Sequence, residues 1–271
     1  MADARSYFTD DSMLRRVHRE WAVALSAPRA LLMQAAHPVA FAGFFTHTGS
    51  LEEPYDRLER TAEVMDTIAF GPRAKADRMT RRVRAMHRRV SGELREPSGR
   101  FPAGTPYRAD DPELLLWILA CLVDSALLVY QRYVGPLGRD DRDAYWQDYK
   151  TIGHLFGLRD EDMPGTIEGF EEYMADMLAG DVLHVSDEAR RLSVQIVMNP
   201  PVPPLALPLL KGANFATIGL LPERLRRAYG FSWDPVRGLA VRAGAEYTRR
   251  VLVPLLPSFI RHVPRARARA A

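Results

Sequence analysis

The sequence predicts an all-α fold, a single-domain bundle of many helices, on three observations. Apolar residues recur at spacings of three and four through most of the chain, the period that gathers them on one helix face. Proline, glycine and aspartate cluster at the ends of those periodic stretches, where they start and stop helices. No stretch alternates apolar and polar residues between turn signals, as a half-buried strand would.

The elements follow in order. Residues 13–25 place Leu14, Val17, Trp21 and Leu25 on one face, with Asp11 or Ser12 as the cap. Pro28 opens a second helix over 29–36, and Pro38 interrupts the path after His37. Residues 43–54 read as a loop or broken helix around Gly49. An amphipathic helix over 53–70 ends at Gly71-Pro72, and another spans 73–94 with Met79, Val83, Met86 and Val90 as its apolar stripe. Pro97, Gly99, Pro102 and Gly104 make 96–105 a loop. Asp110-Asp111-Pro112 is a strong helix start, and that helix runs to about 134, before Gly135-Pro136. Helices follow over 140–156, closed by Gly157, over 167–178, ended by Gly180, and over 187–198, stopped by Asn199-Pro200-Pro201. A proline-rich apolar segment, 202–221, leads to a short basic helix over 222–229. Asp234-Pro235 starts a last long helix, which Pro254 and Pro257 break. The expected organisation is an N-terminal segment over 1–11, one domain over 12–258 and a basic tail over 259–271.

Composition narrows the function classes. Hydrophobic residues make up 47% and charged residues 26% of the 271, ordinary for a globular domain large enough to bury a core and a cofactor pocket. The net charge is only +3, and 34 of the 37 basic residues are arginine, so no nucleic-acid partner is expected. Arg261, Arg265, Arg267 and Arg269 form the local basic run, read as a frayed end. The lone Cys121 forms no internal disulfide, and residues 1–11 carry no apolar leader, so a reducing, cytoplasmic setting is expected. The apolar stretch 114–130 falls short of the ~20 residues of a spanning helix and is interrupted by Asp124 and Ser125. It reads as a core helix. Segment 202–221, broken by Pro203, Pro204, Pro208 and Lys211, is expected to touch a membrane or lipid-like substrate at most, without stable insertion. The sequence leaves homo-oligomerisation open.

General motifs remove several chemistries. There is no Gly-rich phosphate loop, no His-Glu-x-x-His, no cysteine pair and no Gly-x-Ser-x-Gly elbow. Seven histidines remain: His18, His37, His47, His87, His154, His184 and His262. His87 lies one turn after Val83 and beside Met86 and Val90, flanked by arginines that include Arg84. An imidazole there can reach an apolar cavity while arginines serve carboxylates, which suits a haem. It is also where a core-edge histidine bonded to a carbonyl would sit. Arg57 and Thr61 share a face with Val64 and Ile68, and Arg60 is adjacent. They can polarise bound oxygen or a substrate carbonyl, or form an ordinary surface of Arg–Glu pairs. His37, at a helix end that Pro38 terminates, can bond the free carbonyls of the last turn. Asp124, in an apolar helix, calls for an arginine partner. Trp117, Tyr130 and Tyr133 read as core packing.

Taken together, ordered elements carry a family resemblance. They are Gln34-Ala35-Ala36-His37-Pro38, Arg57-x-x-Arg60-Thr61, Met86-His87 with Val90 and Gly92, and Pro106-Tyr107-x-Ala109-x-Asp111-Pro112 with Leu115-Leu116-Trp117. Val134-Gly135-Pro136-Leu137, Leu155-Phe156-Gly157, Leu220-Leu221-Pro222, Leu225-Arg226 and Tyr229-Gly230 continue the series. Over roughly 12–255 the chain resembles the MpaB/rubber-oxygenase (latex-clearing protein) family, domain of unknown function 2236. The resemblance implies a haem b buried between helices, globin-like in that sense. It implies His87 as the proximal iron ligand, with Arg57, Arg60 and Thr61 on the distal side. It also implies O2 and an apolar or partly apolar small molecule as substrates. Arg84 and Arg57 are then candidates for the propionates, and His37 for a place near the cofactor. The chain departs from the family at Arg60, where rubber oxygenases carry lysine, and at Leu119, where many relatives carry histidine. Arginine keeps its proton and is a poor ligand and base. The expectation is a haem-dependent oxygenase; the alternatives are a non-catalytic haem or apolar-ligand binding protein and a helical interaction protein without cofactor.

Overall fold

The computed structural model describes residues 6–45 and 54–267. His47 and most of the segment read as a loop around Gly49 lie outside the described residues. The helices are α1 (Met13–His18), α2 (Ser26–Ala35), α3 (Pro38–Phe45), α4 (Pro54–Phe70), α5 (Arg73–His87), α6 (Pro112–Tyr133), α7 (Arg139–Phe156), α8 (Ile167–Ala179), α9 (Asp187–Met198), α10 (Leu207–Leu220), α11 (Glu223–Ala228) and α12 (Pro235–Tyr247). Short helices α13 (Val253–Leu255), α14 (Ser258–Arg261) and α15 (Pro264–Arg267) finish the chain. The fold is an all-α bundle with one small hairpin.

Helix α6 is its axis. The Asp111 carboxylate accepts from the Glu113 N–H at 2.9 Å, and Pro112 occupies the first turn, so the start is fixed as its sequence dictates. By length and composition α6 could cross a membrane. Here it lies in the core, packed chiefly against α2 and also against α1, α3, α7 and α8. Trp117 on α6 and Tyr145, Trp146 and Tyr149 on α7 are fully buried. Arg29 of α2 pairs with Asp124 at 2.6 Å and donates to Ser125 Oγ and the Leu220 carbonyl.

Five elements differ from expectation. The helix over 13–25 breaks after His18 into a 3-10 turn, Trp21–Leu25. The break frees the Arg19 carbonyl for the Val263 N–H and the buried Glu20 carboxylate for Arg261, whose Nε and Nη2 each reach it at 2.6 Å. The beginning of the basic tail is therefore tied down rather than frayed. The helix over 73–94 stops at His87, and Ser91–Glu93 (β1) pairs antiparallel with Pro106–Arg108 (β2). Three-residue strands are too short to show alternation, and Gly104, at φ +82°, turns the connecting loop. Pro38 opens α3, and Pro208 sits in the first turn of α10; both are positions where the missing N–H costs nothing. A π-turn, Thr248–Leu252, precedes Pro254, which cannot donate the regular helical bond.

Candidate functional site

Helices α4 and α5 are joined by Gly71-Pro72, and α5 runs back along α4. This hairpin brings His87, in the last turn of α5, within electrostatic reach of Arg57 near the start of α4. The far end of α4, Thr67 to Phe70, is buried, and Arg57 and Leu58 near its start are half-buried.

His87 is half-buried, and its Nδ1 is buried with no hydrogen-bond partner among the described residues. Burial lowers its pKa first and the Arg57 cation second, against a smaller upward pull from Asp110. The imidazole is thus neutral at pH 7. The expected carbonyl bond of a core-edge histidine is not made through that nitrogen. The stripe beside it stays uncovered: Met79, Val83 and Val90 are half-buried, and Met86 is 47% exposed.

Arg57 stands in the wall of a small pocket that is partly open to solvent. The other walls are Leu31, Gln34 and Ala35 of α2, Ala40 and Phe41 of α3, Pro54 and Leu58 of α4, Ile118 of α6, and Ser193, Ile196 and Val197 of α9. Apart from Gln34, Arg57 and Ser193 the lining is apolar. The Gln34 amide donates to the Ile118 carbonyl at 3.0 Å, fixing α2 against α6 at the pocket. Burial and the neighbouring Arg60 cation push the Arg57 pKa down to about 10, so it stays charged at neutral pH.

The remaining sequence candidates are dispersed around this centre. Arg60 and Thr61 face solvent; Arg60 Nε donates to the Asp56 carbonyl at 3.2 Å and Thr61 Oγ1 to the Arg57 carbonyl at 2.9 Å. Arg84 lies over the C-terminal end of α7, its Nε 3.3 Å from where a Cβ on Gly157 would sit. His37 does not bond the carbonyls ending α2. Its Nδ1 accepts from the Ala40 N–H at 3.4 Å and so caps the start of α3. That role needs a neutral ring, and burial lowers its pKa to about 4. His154 is engaged by the Leu158 carbonyl and Asp160. Among the described residues no three His, Cys, Asp or Glu side chains gather as a metal site.

Residues 15–250 match the family described as "ER-bound oxygenase mpaB/B'/Rubber oxygenase, catalytic domain". The chain belongs to this family. Two similar proteins, one from Mycobacterium bovis and one from Mycobacterium tuberculosis, are both described as uncharacterized. Each is 25% identical over 185 residues, covering 68% of this chain and 69% of its own length. No solved structure matches.

Leu119, the expected departure from the family resemblance, lies away from the pocket. It is buried against α7, where its Cδ2 would lie 3.3 Å from a Cβ on Gly153. The α9 wall was missed in the sequence. Its available signal was Ser193 on the same face as Ala189 and Val197, a polar group set into an apolar stripe.

Proposed function

We propose that this oxygenase domain binds one haem b through His87 and uses it with O2 to oxidise an apolar or partly apolar small molecule. One observation carries the reading: a neutral imidazole with a buried, unpartnered ring nitrogen, at the end of a helix whose apolar stripe is left uncovered. A buried polar atom without a partner costs about 1–3 kcal/mol, and iron bound at that nitrogen, Nδ1, would relieve the cost. A single histidine suffices when a porphyrin supplies the other iron ligands. The partly exposed apolar side chains of α5 would suit its hydrocarbon edge, and Arg57, within electrostatic reach of His87, would be the cation for its propionates. The donor set present therefore fits the group.

Bound haem would supply the redox centre at which O2 is activated. The chain's own residues supply the rest. Arg57 holds its proton and presents a fixed positive charge in the pocket wall, where it stabilises negative charge developing on oxygen or on a substrate carbonyl. The walls from α2, α3, α6 and α9 exclude water and orient an apolar substrate by shape. Arg60, at the open side, cannot act as a base and suits a carboxylate or bound oxygen as hydrogen-bond partner, with Thr61 beside it. His37 acts at a distance, fixing the α2–α3 corner that sets Ala35, Ala40 and Phe41 in the wall.

Hemin titration tests the binding step. The wild-type protein should take up one equivalent with a Soret band, and His87→Ala should lose it. O2 consumption with candidate apolar substrates then separates an oxygenase from a carrier. A protein that takes up no hemin would sink the proposal.

A further inference from the structure

The C-terminal part of the chain carries an apolar face that the fold does not use. Helix α12, the π-turn after it and α13 run on without a break from Pro235 to Leu255, roughly 30 Å at ~1.5 Å per residue. Ala245 on this helix packs inward against Val129, Tyr133 and Leu220. On the opposite side Val236, Leu239, Ala243 and Tyr247, spaced by three and four, all face solvent. Leu255 and Phe259 extend the exposed apolar surface, and Val236 and Leu255 are 75% and 76% exposed. Arg237 falls on one flank of the stripe and Arg242 on the other, at ~100° of rotation per residue.

The charge around the stripe selects its occupant. Residues 201–271 hold twelve basic and three acidic side chains, a net +9 in a chain of net +3, so the first 200 residues carry −6. The three acids, Glu223, Asp234 and Glu246, are already paired with Arg227, Arg237, and Arg249 and Arg250. Among the described residues Lys211 and Arg242 have no acidic partner. A second copy docked face to face would bring two strongly positive segments together without carboxylates to spare. An anionic lipid surface meets both demands: acyl chains for the stripe, and phosphates for Arg242 on its flank, which has no acidic partner.

We propose that the exposed face of α12 and α13 is a docking surface for an anionic lipid bilayer, with the helix lying in the interface plane. The test is co-sedimentation of the full chain with vesicles of phosphatidylcholine alone or containing one-third phosphatidylglycerol. Binding should require phosphatidylglycerol and weaken with added salt. Leu239→Glu with Leu255→Glu should cut partitioning at least ~10-fold, since two apolar anchors are lost. Arg242→Glu should cut it ~5-fold or more, and its exposed position keeps the test valid should the double variant fail to fold. Retention of the native circular dichroism spectrum distinguishes lost docking from unfolding. The proposal is overturned if the chain ignores anionic vesicles at low salt, or if the folded variants bind as wild type does. It is equally overturned if the double variant abolishes a self-association seen without vesicles while lipid binding is absent.

Discussion

Replacing Arg29 by methionine strips the donors that tie three helices together behind the pocket. The Arg29 side chain is buried, and its Nε donates to the Leu220 carbonyl at 2.8 Å while Nη1 reaches Asp124 at 2.6 Å and Ser125 Oγ at 2.7 Å. Methionine keeps most of the apolar stem but leaves a carbonyl, a hydroxyl and a carboxylate short of a donor. Breaking a buried pair by removing one partner costs about 3–5 kcal/mol. The Asp124 side chain is 29% exposed, so water recovers part of that, and the lower end, about 3 kcal/mol, applies. For a chain of this size ~2 °C of Tm accompanies each kcal/mol, so thermal unfolding should move down by about 6 °C. Adding Asp124→Leu should restore about 1–2 kcal/mol, because a stranded carboxylate is worse than an apolar contact. Circular dichroism melts of the wild type and the two variants decide it. Arg29→Met melting within about 1 °C of wild type would refute the reasoning.

Three further outcomes are expected. Gly157→Ala should lower stability by about 1–2 kcal/mol, since Gly157 ends α7 at φ +110° and its new Cβ would meet Arg84; an unchanged urea midpoint would contradict this cap. His18 lies half-buried between the hydroxyls of Tyr145 and Tyr149, and desolvation pushes its pKa down to about 4, as it does for His37. The unfolded chain therefore takes up protons that the native state refuses, so stability should be level above ~6.5 and fall as pH drops from there towards ~4. His18→Gln should flatten that fall in urea midpoints measured across the range. Arg57→Leu removes a cation that holds the His87 pKa down, so protons should compete with hemin at a higher pH than in wild type, read as a shifted midpoint of Soret absorbance against pH. No shift would separate Arg57 from His87.

The helices legible in the sequence were those whose ends carry explicit chemistry. Asp111-Pro112, Gly157 and Asp234-Pro235 each mark an observed boundary, with side-chain caps at two of them and a left-handed glycine at the third. Legibility failed where long-range contacts override local period. Residues 13–25 break because Arg19 and Glu20 are claimed by residues some 240 positions away. The end of α5 at His87 depends on a hairpin whose strands pair across the loop at Gly104. At the site, the α4–α5 hairpin brings His87 within electrostatic reach of Arg57, a proximity that the residue pattern alone did not give and only the family resemblance implied. The pocket's α9 wall was not legible either, because Ser193, Ile196 and Val197 meet Leu31 and Phe41 only through tertiary packing. Arg60, Thr61 and Arg84 show the converse: sequence spacing grouped them with the site, and the fold turns their polar groups towards helix backbone or the end of α7.

The most direct measurement is the absorption spectrum of the full chain titrated with hemin, wild type beside His87→Gly, with free imidazole added back to the variant. The account requires a one-to-one Soret band in the wild type, its loss in His87→Gly, and its return when imidazole fills the place of the missing side chain. An identical Soret band and stoichiometry in His87→Gly without imidazole would contradict it.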